Sequence, residues 1–142
     1  MKTKLLLFLL VSASLLSAAE TVGGPKGGRL LETAPHPTEF FVTADRHVEI
    51  TFYDADLKAV PPGKQTVAVI AEPASGRAPL ALEPTATGFH STAPLPAGEP
   101  YRVVVQVRTT PEAAPQNFRL DLVLSTCGEC KRAEYACICE GH

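Results

Sequence analysis

The sequence predicts an all-β domain, an antiparallel β-sandwich of seven or eight short strands followed by a brief irregular cysteine-rich tail. Three observations carry that expectation. First, Tyr101, Val103, Val105 and Val107 alternate with Arg102, Gln106 and Arg108, while Phe118, Leu120, Leu122 and Leu124 alternate with Asn117, Arg119, Asp121 and Ser125. A period of two puts one set of side chains on a dry face and the other in water. Second, 13 prolines and 10 glycines cut the chain into short segments, and each proline removes a backbone donor and fixes one φ angle. Third, no stretch beyond residue 19 sustains a helical period. The architecture is Ig-like in layout only, because tryptophan is absent and no cysteine is placed to bridge two sheets.

Taken in order, residues 1–19 read as a cleavable signal peptide. Lys2 and Lys4 form a basic start, Leu5 to Val11 is an unbroken apolar run, and Ser17-Ala18-Ala19 supplies the small residues of a cleavage site after Ala19. The run is shorter than the roughly 20 residues a spanning helix needs. The expected destination is therefore periplasmic or secreted, with no stable membrane insertion after cleavage. Residues 20–28 form a flexible glycine-rich N-terminus, residues 29–125 the sandwich, and residues 126–142 the tail.

Within the sandwich, Arg29-Leu-Leu-Glu32 is a short first strand, interrupted by Pro35 and Pro37. Glu39–Thr43 and His47–Tyr53 form a hairpin about Ala44-Asp45-Arg46. In its second arm Val48, Ile50 and Phe52 face inward, and His47, Glu49, Thr51 and Tyr53 face outward. Thr66–Ala71 is the next strand, Ala78–Glu83 a weaker one, and Gly88–Thr92 another, with Phe89 inward and His90 outward. The two alternating runs close the set. Asp45, Asp54 and Asp56 read as turn residues.

The whole chain carries 13 basic and 15 acidic residues, a net charge of −2. Loss of Lys2 and Lys4 with the leader makes it −4. No basic block remains to follow a phosphate backbone, so nucleic acid is excluded as the expected partner. No Ser/His/Asp set or carboxylate pair suggests catalysis, and the chain reads as non-enzymatic.

All four cysteines lie in the last sixteen residues, as Cys127-x2-Cys130, six residues, Cys137-x-Cys139, with His142 closing the chain. Cys-x2-Cys lets two sulfurs of one turn reach a single metal, and Cys-x-Cys can do so from extended backbone. The expected ligands are Cys127, Cys130, Cys137 and Cys139, with His142 as an optional fifth. Soft sulfur ligands select Zn(II) or Cu(I). Two rivals stand beside this reading. Exported cysteines usually pair, and four of them allow three disulfide connectivities, which would make the protein an interaction module with a stapled tail and no metal. Thiol exchange at Cys127 and Cys130 ranks third, because a strand rather than a helix N-terminus precedes them. His47 and His90 read as solvated. His36, between two prolines, sits in a loop from which an imidazole can reach a metal.

The stretch Gly24-Pro-Lys-Gly-Gly-Arg-Leu-Leu-Glu32, followed by Glu39-Phe-Phe-Val42 and Ile50-Thr-Phe-Tyr-Asp-Ala-Asp56, resembles the N-terminal β-sandwich extension of periplasmic adaptor subunits of heavy-metal efflux pumps. Those adaptors often begin G-P-H-G-G-R-L-L-E, and Lys26 stands here in place of the histidine. The likeness covers about a third of the chain after the leader. It implies an accessory module of heavy-metal homeostasis that binds or hands over a metal ion, with a periplasmic efflux-pump component as a partner.

Overall fold

A computed structural model describes residues 20–140; the signal-peptide reading and His142 lie outside the described residues. The fold is all-β and consists of two antiparallel sheets. Strands β1 (Val22–Gly23), β2 (Arg29–Leu31), β3 (Thr38–Val42), β4 (Val48–Tyr53), β5 (Ala59–Val60), β8 (Leu82–Thr85) and β9 (Gly88–Ser91) build the larger sheet. Its order is β1-β2-β3-β4-β9-β8, with β5 also paired to β4. The smaller sheet is β11-β10-β6-β7, where β6 is Thr66–Glu72, β7 is Ala78–Leu80, β10 is Tyr101–Arg108 and β11 is Gln116–Leu122. Among the described residues no helix is long and apolar enough to cross a membrane.

The two runs with the clearest alternation pair with each other in the smaller sheet. β10 pairs with β11 from Tyr101↔Leu122 to Val107↔Gln116, and with β6 from Arg102↔Glu72 to Arg108↔Thr66. Val103, Val105, Val107, Leu120 and Leu122 are each no more than 2 % exposed, and pack into one core with Phe40, Val48, Ile50 and Phe52 of the larger sheet. Burial of a side chain of this size contributes about 1.5–3 kcal/mol, so this interface dominates the stability of the fold.

Three local features depart from the sequence reading. The first is the glycine-rich stretch 20–28, which reads as flexible in sequence but carries β1 and is held by the Glu39 carboxylate. Ala78–Glu83 is not one strand. It splits at Ala81, with β7 hydrogen-bonded to β6 in one sheet and β8 to β9 in the other. Pro79 and Pro84 fit these positions because both strands are edges, where a missing N–H costs no ladder bond. The third departure is on β4, where Thr51 and Tyr53 are 2 % and 4 % exposed although they lie on the face opposite the core. The covering group is the carboxylate of Glu39, the cross-strand partner of Thr51, itself fully buried.

Glu39 is satisfied by three donors. Its Oε1 accepts from the backbone N–H of Gly28 at 2.8 Å and of Lys26 at 3.0 Å, and its Oε2 accepts from the Tyr53 hydroxyl at 2.5 Å. A buried carboxylate is tolerated only when paired in this way. The glycine-rich stretch is thereby fixed over the outer face of β3 and β4, with Lys26 Nζ also 2.7 Å from Glu49 Oε2. Glycine is required at position 24, where a Cβ would stand 2.2 Å from the Glu39 carboxyl carbon.

The turns behave as their chemistry dictates. Asp54 Oδ1 accepts from the N–H groups of Asp56 and Lys58, both at 2.9 Å, the local pattern that makes Asp a turn residue. Arg46, with a left-handed φ of 69°, reaches across to Glu99 in a two-pronged pair at 2.7 and 2.9 Å, and donates to the carbonyls of Leu95 and Pro96. It pins the loop that delivers the chain into β10.

Candidate metal centre

Beyond β11 the chain turns back on itself. An isolated antiparallel bridge joins Thr126 to Ala133, and inside it the Cys127 N–H donates to the Arg132 carbonyl at 2.7 Å while Lys131 N–H donates to the Cys127 carbonyl at 3.1 Å. Lys131 takes a φ of 61° to close this knuckle. A single 3₁₀ turn, Glu134–Ala136, then brings Cys137 and Cys139 to the same place.

The tail is anchored through Tyr135. Its ring packs edge-on to Phe40 with centroids 5.6 Å apart, and its hydroxyl accepts the Val42 N–H at 2.9 Å. Tyr135 and Ala136 belong to the hydrophobic core, so the tail is seated on the sandwich rather than merely following it. Burial pushes the Tyr135 hydroxyl up to about 12.

All four sulfurs converge. The ligand atoms of Cys127, Cys130, Cys137 and Cys139 lie within 4.8 Å of one another, with Sγ–Sγ distances of 3.4 Å for Cys127–Cys137, 3.6 Å for Cys130–Cys137 and 3.8 Å for Cys127–Cys139. None is disulfide-bonded. Four thiolates at about 2.3 Å from a tetrahedral ion stand about 3.8 Å apart along each edge, so the measured spacings suit one metal ion at the centre. Cys127 and Cys137 are buried, and Cys130 and Cys139 are partly exposed. The centre therefore has an inner and an outer pair.

Backbone N–H groups favour charge on one sulfur, while burial and the neighbouring sulfurs withhold it from two others. N–H groups of Ile138 and then Arg132 point at Cys130 Sγ and lower its pKa to about 6. The Cys139 N–H favours the Cys137 thiolate, yet burial and the neighbouring Cys127 and Cys130 sulfurs together carry that pKa upward. Burial, followed by the three neighbouring sulfurs, pushes Cys139 up as well. Like charges this close cannot all ionise unaided. A cation at their centre removes that obstacle, because metal binding displaces the thiol protons.

No protein family, curated protein or solved structure matches this chain.

The cysteines named from sequence are thus brought together, and among the described residues no histidine joins their cluster; His142 lies outside the described residues. His36 lies in its loop with its carbonyl accepting from the Thr33 hydroxyl. His47 and His90 stack on each other with centroids 5.0 Å apart, and Asp45 sits 3.2 Å from His47 Nδ1. Sequence reasoning missed Arg132, Tyr135 and Glu39. Tyr135 carried the one available signal, being the only aromatic residue between the two cysteine pairs.

Proposed function

We propose that this chain is an exported, non-enzymatic metal-binding domain that holds one Zn(II) ion on Cys127, Cys130, Cys137 and Cys139 and serves heavy-metal homeostasis, as an accessory to efflux. The observation that carries this reading is the convergence of four unpaired sulfurs within 4.8 Å. Zn(II) ranks ahead of Cu(I) because a tetrahedral four-sulfur set is the geometry of zinc, and four thiolates leave a smaller excess charge around a divalent than around a monovalent ion. The signal-like residues 1–19 support export, and the Gly24–Glu32 stretch supports a place beside heavy-metal efflux components. The protein's part in the chemistry is to gather thiolates, direct N–H groups at Cys130, and shield the inner pair from water.

Intact-mass spectrometry of the purified chain, native and then denatured, tests the centre. A stoichiometric zinc adduct with four free thiols is the expected result. A mass four hydrogens short, with no metal, would replace the metal reading with a disulfide-stapled interaction module. Recovery from the periplasm of a chain beginning at Glu20 tests export.

A further inference from the structure

The cysteine tail and the N-terminal glycine loop meet through one side chain, that of Arg132. Its guanidinium donates from Nη1 to the carbonyls of Gly28 at 3.2 Å and Gly24 at 3.3 Å, and from Nη2 to Gly24 at 3.3 Å. Its main chain closes the knuckle, its carbonyl accepting the Cys127 N–H at 2.7 Å.

We propose that Arg132 and the Gly23–Gly28 loop are the positioning apparatus of the metal centre: the loop carbonyls hold Arg132, Arg132 shapes the Cys127–Cys130 knuckle, and metal occupancy and loop attachment rise and fall together. This rests on the four-cysteine metal reading above.

The loop is gripped on both sides. While Arg132 takes its carbonyls, the buried Glu39 carboxylate takes the N–H groups of Lys26 and Gly28. A continuous line of contacts thus runs from Tyr53 through Glu39 and the loop to Arg132, and from its carbonyl to the Cys127 N–H. Arginine suits the position because its planar fork reaches two carbonyls four residues apart, which a lysine ammonium does not match. Gly23 makes room for it. A Cβ on Gly23 would stand 2.8 Å from Arg132 Cζ, while a Cβ on Gly28 would stand 2.3 Å from the Phe40 carbonyl oxygen and so lift the loop off β3. Groups that orient metal ligands commonly set metal affinity, and any such coupling is reciprocal. A change in the loop, more than a hundred positions away in sequence, must therefore be felt at the sulfurs.

The test is a zinc titration of the purified chain against a chromophoric chelator, with amide hydrogen exchange read on the zinc-loaded and zinc-free protein. Arg132→Ala is expected to weaken zinc binding by about 10–100-fold, and Arg132→Lys to restore only part of that loss. Gly23→Ala is the decisive variant. It leaves Arg132 and every cysteine in place, and its Cβ meets only the tip of a flexible side chain, so the fold survives while the guanidinium is displaced. It should weaken zinc binding in the same direction. Zinc removal should speed exchange of the Lys26 and Gly28 amides while those of β10 stay protected. Wild-type affinity in both Gly23→Ala and Arg132→Ala, or Lys26 and Gly28 amides indifferent to zinc, overturns the coupling and leaves the metal site standing. A wild-type chain that binds no zinc overturns the metal reading itself, and is seen before any variant is made.

Discussion

Replacing Glu39 by glutamine tests how much of the fold hangs on one buried charge. The substitution keeps the shape of the side chain and removes the negative charge that three donors now share: the N–H groups of Lys26 and Gly28 and the hydroxyl of Tyr53. An amide can keep its oxygen toward the two N–H groups, and its NH2 then meets the Tyr53 hydroxyl, which has to turn from donor to acceptor. Hydrogen bonds to a charged partner are worth about 1.5–3 kcal/mol net, against about 1 kcal/mol for neutral ones. Three bonds losing about 1 kcal/mol of charge assistance each give a destabilisation of about 3 kcal/mol. For a domain of this size that corresponds to a fall in Tm of about 10 °C. The assay is urea denaturation followed by far-UV circular dichroism, with Tyr53→Phe and the double variant completing a cycle. A coupling energy between Glu39 and Tyr53 of about 1 kcal/mol or more is expected, since residues in direct contact are non-additive on that scale. Glu39→Gln within about 0.5 kcal/mol of wild type, the range of an ordinary surface change, would refute the claim that this carboxylate holds the loop to the sheet.

Tyr135→Phe removes the acceptor of the Val42 N–H and leaves the ring against Phe40. Denaturant titration should show a loss of about 1–3 kcal/mol, the cost of an unsatisfied buried group; no loss would mean that water replaces the hydroxyl. Glu99 makes a pH-dependent contribution. Arg46, together with backbone N–H groups, pulls its pKa from the ordinary 4.5 to about 2. A depressed carboxylate stabilises the fold above its unfolded pKa, and that stabilisation fades as pH falls through the folded one. Thermal melts of Glu99→Gln should therefore sit below wild type at pH 7, and the two should converge between pH 4.5 and 2. A gap that persists at pH 2 would argue against the ion pair as its origin.

The parts of the fold that were legible in the sequence share one physical property, a face that is dry along its whole length. β10 and β11 bury alternate side chains against a single core, so period two is written into them. β1 and β5, of two residues each, are too short to hold a period, and the break at Ala81 is invisible because both halves keep strand-forming residues. Thr51 and Tyr53 read as solvated because what covers them is a glycine loop and a carboxylate, neither of which has a hydrophobic signature. The same distinction holds at the site. Cysteine spacing is local, so Cys127, Cys130, Cys137 and Cys139 could be grouped by inspection. Arg132 finds Gly24 108 positions away, and Tyr135 finds Val42 93 positions away. Pairings of that span come from the closure of the sandwich, and no window of sequence contains them.

The grip of Arg132 on the Gly24 and Gly28 carbonyls also bears on the order in which the molecule is made. Contacts between segments this distant along the chain close the largest loops, and the entropy of loop closure delays them relative to neighbouring pairings. The glycine segment is synthesised early, but its counterpart emerges more than a hundred residues later. During synthesis the segment has no Arg132 to hold, and the last step of assembly falls to the stretch that also carries the sulfurs. A chain cut short before Thr126 would keep every strand of the sandwich and lose both the cysteine centre and the clasp on its own beginning.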